Sequence, residues 1–295
     1  MKDYLQFFKE YLINEKKASA NTVESYIRDI SQFSSYCASI KIRNISSTNH
    51  DTLDEYLDYL TVLGKSNSTK SRIIASLRCY YKYLESRSFI KNNPTENVKL
   101  AKTKKKLPGV LDSNEIVLLL SQPDTSEYKG IRDKAMLELI YATGIKVSEI
   151  IELKLSDINL QVGFVHLHND KKERIIPIYP AAVKSIADYL VNVRPAIVLS
   201  EDEDRLFTNM TGGHLSRQGF WKIIKYYAQN AGIKKDITPH TLRHSFAAHL
   251  LENGANLKDI KDMLGHTDIS STQVYAQLLK SKYSSAYSKF HPMAK

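Results

Sequence analysis

The chain has 295 residues, 42% of them apolar and 25% charged, and its 42 Lys and Arg against 32 Asp and Glu leave a net charge of +10. That is enough chain for two globular domains with cores of their own, and no apolar run approaches the roughly 18 residues of a membrane-spanning helix. The charge excess suits a polyanionic partner such as nucleic acid, because each phosphate met by Lys or Arg releases condensed counterions; a generally basic proteome would give the same total.

Met1-Lys-Asp-Tyr-Leu-Gln-Phe-Phe8 interrupts its apolar residues with charge and lacks a small-residue cleavage site. It reads as the start of a helix in a cytoplasmic protein rather than as a signal peptide. Apolar residues recur at helical spacing from Tyr4 to Leu12, and Ser19-Ala-Asn-Thr22 offers an N-cap before Val23, Tyr26, Ile30 and Phe33. A third helix is predicted near Thr52–Leu63, ended by Gly64, and a fourth from Ser68 through Ile73, Leu77, Tyr80, Tyr81 and Leu84. Residues 1–98 thus form a helical bundle of four or five helices. Lys70, Arg72 and Arg78 stand where they would meet a DNA backbone, or would equally form a solvated face. Asn92-Asn-Pro94 stops the helical pattern. Residues 99–110 are a basic linker whose Lys104, Lys105 and Lys106 suit DNA lying between two domains, an inert tether being the plainer alternative. Cys37 and Cys79 lie in separate helical patterns, without the spacing of a disulfide framework or a zinc site.

The second domain, 111–295, opens with a helix at Ser113 and another through Ile131, Met136 and Ile140 that stops at Ala142-Thr-Gly144. A short helix follows from Lys146 to Leu153. Phe164–His168 and Arg174–Ile178 are strand-like, with Asn169, Asp170, Lys171 and Lys172 as the tip of a hairpin. Helices return at Ala181–Val191 and Arg217–Ala228, where Trp221 is expected in the core.

Thr238 is a good N-cap and Pro239 suits the first position of a helix, so His240 and Arg243 fall on one face of its first two turns. Unpaired N–H groups, the helix dipole and a guanidinium fork make that face an anion site. Gly265 ends the following helix and presents His266, and Tyr275 sits early in a last helix starting near Ser271. His240 and His244, four apart, also fit metal ligands, but no HExxH motif accompanies them and Arg243 would place a positive charge beside the ion.

Taken together, His240-x-x-Arg243-His244, Leu264-Gly-His266 and Tyr275 resemble the C-terminal motif of the tyrosine recombinases (phage integrase family), most of all the Xer type. The likeness runs along nearly the whole chain. Ser19-x-Asn-Thr-x-x-x-Tyr26-x-x-Asp29, Thr69-x-x-x-Ile-x-x-Leu-Arg78 and Asn93-Pro94 resemble the helical core-binding domain, and Ala142-Thr-Gly-x-x-Val-Ser-Glu149 the first catalytic segment. The resemblance implies a mainly α protein: a SAM-like helical core-binding domain followed by a mixed α/β, mostly helical catalytic domain with a small antiparallel sheet. It implies Tyr275 as nucleophile, Arg243 and the position of Lys146 clamping the scissile phosphate, His240 and His266 completing the pocket, and Glu149 supporting it from behind. A hairpin lysine, Lys171 with Lys172 as rival, would be the general acid.

That chemistry needs no cofactor. Tyrosine attack builds negative charge on the non-bridging oxygens, which fixed cations stabilise, and the 3′-phosphotyrosine conserves the bond for rejoining without ATP or metal. Two departures stand out: Lys146 replaces the family arginine, and the hairpin is one residue shorter than the usual version. Lysine keeps the charge but loses the planar fork, so weak or slow cleavage is expected with DNA binding intact. The resemblance further implies duplex DNA with an inverted-repeat site, a homo- or hetero-tetramer, exchange through a Holliday junction, a possible accessory protein, and a role in chromosome dimer resolution or mobile-element movement. The tail from Ser281, with Tyr283, Tyr287 and Phe290, fits a helix exchanged between subunits or folded back on its own domain. The alternatives are a non-cleaving DNA-binding or architectural protein on the same fold and a topoisomerase using the same chemistry.

Overall fold

The computed structural model describes residues 2–42, 44, 47–96, 98, 108–168, 173–200, 202–266, 268–269 and 271–277. The linker lysines Lys104, Lys105 and Lys106, the hairpin lysines Lys171 and Lys172, and the tail from Ser281 lie outside them. The chain packs as two compact units, 1–105 and 106–295.

In the first unit, helices α1 (Lys2–Asn14), α2 (Ala20–Ser39), α3 (His50–Val62) and α4 (Asn67–Ser86) follow the apolar spacing. Ser19 caps α2 by accepting from the Thr22 N–H, and Asn49 and Ser66 cap α3 and α4 in the same way. Phe8, Ile30, Phe33, Tyr56, Leu77 and Tyr81 are fully buried, and each large side chain removed from water stabilises the bundle by about 1.5–3 kcal/mol. Phe33 meets Tyr56 edge-on at 5.0 Å, and the Tyr81 hydroxyl reaches Thr48 at 2.7 Å.

Among the described residues one charge is buried in this core: Asp29, held by an ion pair with Arg72 and by the Ser76 hydroxyl at 2.8 Å. A carboxylate out of water requires such partners. Arg72 thus reaches in to that carboxylate while its own side chain stays 42% exposed. Arg78 is also engaged, donating to the backbone carbonyls of Thr95 at 3.4 Å and Val98 at 2.5 Å, and Lys70 donates to Thr61 at 3.1 Å.

The second unit contains α5 (Ser113–Leu120), α6 (Tyr128–Thr143), α7 (Val147–Glu152), β1 (Ile158–Asn159), β2 (Phe164–Leu167), β3 (Arg174–Pro177), α8 (Pro180–Asn192), α9 (Arg194–Ile197), α10 (Arg217–Asn230), α11 (Pro239–Glu252) and α12 (Leu257–Leu264). Residues 271–277 are helical. Helix α6 is the axis of this unit, packed by α8 and α11 and buried without a break from Ala135 to Ile140, and the one charge in that run, Glu138, is paired with Lys134 at 2.8 Å. Its buried Arg132–Asp133 pair is held by the Tyr227 hydroxyl at 3.0 Å and the Thr208 carbonyl at 3.3 Å.

Strands β1, β2 and β3 form an antiparallel sheet in that order, with His166 opposite Ile175 and Leu167 opposite Arg174. Val165, Leu167, Arg174 and Ile176 face inward, whereas His166 is only partly covered and Ile175 is exposed, the alternation of a half-buried sheet. Trp221 departs from its expected place: at 39% exposure it lies on the surface, with the Lys225 ammonium 4.4 Å from its ring. An indole at the edge of an amphipathic helix fits the same periodicity, with its N–H donating to the Ile237 carbonyl at 3.4 Å.

Candidate active site

Helix α11 starts as its sequence requires. Thr238 accepts from the Thr241 N–H, the Thr241 hydroxyl receives the Thr238 N–H, and Pro239 occupies the first turn. One turn on, Arg243 is only 4% exposed. Its guanidinium donates to the carbonyls of Gly144 and Leu264, each at 2.6 Å. Both glycines of the motifs are required by close contact. At Gly144, left-handed at φ 59°, a Cβ would overlap the Phe246 ring; at Gly265, φ 64°, it would overlap the Arg174 guanidinium.

Arg174 is the residue that spacing alone did not single out. It enters the pocket from the inner face of β3 and donates to Glu149 at 2.7 Å, with both side chains about nine-tenths buried. The same Glu149 oxygen accepts the Lys146 N–H at 2.7 Å, so Glu149 fixes the start of α7 and an arginine of β3 together. The Arg174 Nε is buried without a hydrogen-bond partner. The Lys146 side chain is exposed at the N-cap of α7.

His266 follows Gly265, half-buried, with Nδ1 3.0 Å from the buried Thr272 hydroxyl. Burial, then the charges of Arg243 and Lys146, push its pKa down to about 4. A neutral ring that accepts from Thr272 carries its proton on Nε2 as a donor. Tyr275 is 1% exposed, and its hydroxyl is 2.8 Å from Nδ1 of His244. Burial raises the Tyr275 pKa, and the Arg243 charge works against that rise. His244 is itself held down to about 4, first by burial and then by His240 and Arg243, so its ring is neutral and its Nδ1 can accept the hydrogen bond of the Tyr275 hydroxyl. His240 is exposed in the first turn, its ring 6.4 Å from that of His244.

Tyr275, Arg243, Lys146 and His266 therefore converge; His244, a motif residue that had been given no role, joins them through Tyr275, and Arg174 is new to the set. His240 stands at the rim, and Glu149 lies behind the cations. His244 was legible as the third member of one helical face, four residues after His240; Arg174 lies at a strand start, where spacing carries no sign of a buried guanidinium. No helix among the described residues is long and apolar enough to cross a membrane.

Residues 109–282 match the phage integrase family and residues 5–88 match its N-terminal SAM-like domain. The chain belongs to the phage integrase family, the tyrosine recombinases. It is 41% identical over 295 residues to the tyrosine recombinase XerD of Staphylococcus epidermidis, covering 100% of this chain and 99% of that protein. With the XerD of Halalkalibacterium halodurans it shares 42% over 292 residues, 98% of each chain. The fold is that of a crystal structure of XerH site-specific recombinase bound to a palindromic difH substrate, with a TM-score of 0.79 at 22% identity, covering 92% of this chain and 81% of that one. It is mainly α with a small antiparallel sheet, as the motifs implied. The protein is an enzyme, a site-specific recombinase of the Xer type.

Proposed function

We propose that this enzyme cuts and rejoins duplex DNA at an inverted-repeat site, Tyr275 forming the 3′-phosphotyrosine and the exchange passing through a Holliday junction in a tetramer. The observation that carries the reading is the Tyr275 hydroxyl on a neutral His244 within reach of the Arg243 charge. His244 takes the hydroxyl proton as the oxygen attacks phosphorus. Arg243, Lys146 and His266 face the non-bridging oxygens, where charge grows in the transition state. A lysine of the 169–172 segment, Lys171 before Lys172, returns a proton to the departing 5′-oxygen.

Arg243 spends two donors on backbone carbonyls and has the rest of its five for phosphate. Lys146 contributes a point charge in place of a second fork, so cleavage is slow while binding is kept. In this proposal residues 1–98 and the linker 99–110 grip the duplex, with Lys70, Lys104, Lys105 and Lys106 on phosphates. Arg72 and Arg78, already paired within the bundle, have less to give. The tail from Ser281 docks on a neighbouring subunit. The site-specific role is chromosome dimer resolution or mobile-element movement, with an accessory protein or a second recombinase as further partners.

The test is Tyr275→Phe on a nicked suicide substrate carrying the enzyme's own site. Loss of the covalent protein–DNA adduct, with single-site binding intact, is the expected result. An adduct that persists in Tyr275→Phe removes Tyr275 as the nucleophile.

A further inference from the structure

The outer face of the β2–β3 hairpin carries a second cluster, separate from the phosphate pocket. His166 and His168 lie two apart on β2 and its extension, so both project from the same side of the sheet. In the antiparallel register Leu167 pairs with Arg174, which brings His168 level with Glu173. The two imidazoles are 3.9 Å apart between ring centres. The Glu173 carboxylate spans them, one oxygen 3.6 Å from His166 Nε2 and the other 3.4 Å from His168 Nδ1. One ligand atom from each of the three lies within 4.8 Å of the others, a grouping that no other His, Cys, Asp or Glu set among the described residues shows.

We propose that His166, His168 and Glu173 form a binding site for a zinc-class divalent ion on the solvent face of the hairpin. Two imidazoles and one carboxylate are a donor set that such ions favour, leaving further positions to water. Bonds of about 2.0–2.2 Å in a tetrahedral arrangement put ligand atoms roughly 3.3–3.5 Å apart. The two carboxylate distances, 3.4 and 3.6 Å, are already close to that spacing. The remaining closure needs only side-chain rotation, which is open to His168 and Glu173 because their side chains are 54% and 69% exposed. Two other histidines pair with a single carboxylate each, His50 with Asp54 and His214 with Glu152. His244, the other histidine of a four-apart pair, has its Nδ1 on Tyr275.

The ligands lie on both sides of residues 169–172, the sequence that holds Lys171 and Lys172. An ion at this place ties the two strands together at the root of that segment.

The experiment titrates Zn2+ into the full-length, chelator-stripped protein in competition with a chromophoric chelator. One ion per chain is expected, with affinity falling about tenfold or more in His168→Ala and in Glu173→Gln, since losing a direct ligand costs at least as much as losing an outer-shell partner. The double variant His50→Ala/His214→Ala should bind as the wild type does. Wild-type affinity in His166→Ala/His168→Ala, or no binding by the unmodified protein at about 0.1 mM Zn2+, overturns the proposal. Imidazole 15N spectra of the unmodified protein give a check that depends on no variant. Zn2+ should move the His166 and His168 signals together, and shifts confined to other histidines would refute the site.

Discussion

Arg174→Met asks whether the arginine of β3 supports the active site. The substitution leaves Glu149, with a side chain only 10% exposed, without its guanidinium partner at 2.7 Å. Removing one member of a buried ion pair costs about 3–5 kcal/mol. Two features reduce that here: Glu149 keeps the Lys146 N–H at 2.7 Å, and the unsatisfied Arg174 Nε disappears with the side chain, relieving about 1 kcal/mol. A net loss of about 2–3 kcal/mol follows, which for a unit of this size lowers the melting temperature by roughly 5–10 °C. Calorimetry of the wild type, Arg174→Met, Glu149→Leu and the double variant measures it. The double variant should recover part of the loss, because an apolar pair leaves no charge stranded. His266 should titrate higher in Arg174→Met, since Arg174 is one of the charges that hold it down. A melting temperature within about 2 °C of wild type, or strictly additive single effects, would refute the reasoning.

Lys146→Arg should restore the planar fork at the phosphate and raise covalent-complex yield on a nicked suicide substrate by about 10–100-fold, the value of one further charged hydrogen bond; equal yields would sink the explanation of slow cleavage. Acid should destabilise the second unit through His244 and His266, both pushed from an ordinary 6.5 to about 4. Because their folded pKa values are depressed, the unfolded chain binds more protons between roughly pH 6.5 and 4. Stability is full above that window and falls as pH drops through it. Each histidine contributes at most about 1.4 kcal/mol per pH unit, less for its partial exposure. Denaturant melts from pH 8 to pH 4 should show the loss, and His244→Asn/His266→Asn should flatten it.

The start of α11 was legible because a Thr-Pro pair states the helix entry by local chemistry, and the same holds for the Ser19 cap and for Gly265. The site was legible where the residues are unusual at short range: an arginine and histidines on one helical face, and a histidine after a helix-ending glycine. What escaped is set by contacts between distant segments. Arg72 and Arg78 read as phosphate contacts or equally as a solvated face, and neither reading held a sign of their contacts within the unit, to Asp29 and to the carbonyls of Thr95 and Val98, pairings that no spacing rule contains. His244 was read as part of a motif and as a metal alternative, and its place on Tyr275 depends on a helix 31 residues away. Arg174 looked like the start of a strand, which it is, and its burial depends on a glycine in another element. Trp221 shows the converse error, a large aromatic assigned to the core on type alone.

Arg243 has one consequence for how mutational data on this enzyme are read. Gly144 closes α6 and Leu264 closes α12, so the two carbonyls that Arg243 holds belong to the negative ends of two helices. Its guanidinium stitches together places where the chain would otherwise fray, before any phosphate arrives. An inactive Arg243 variant therefore reports two losses in one number, and only a substitution series scored for folding beside turnover separates the fastener from the catalyst.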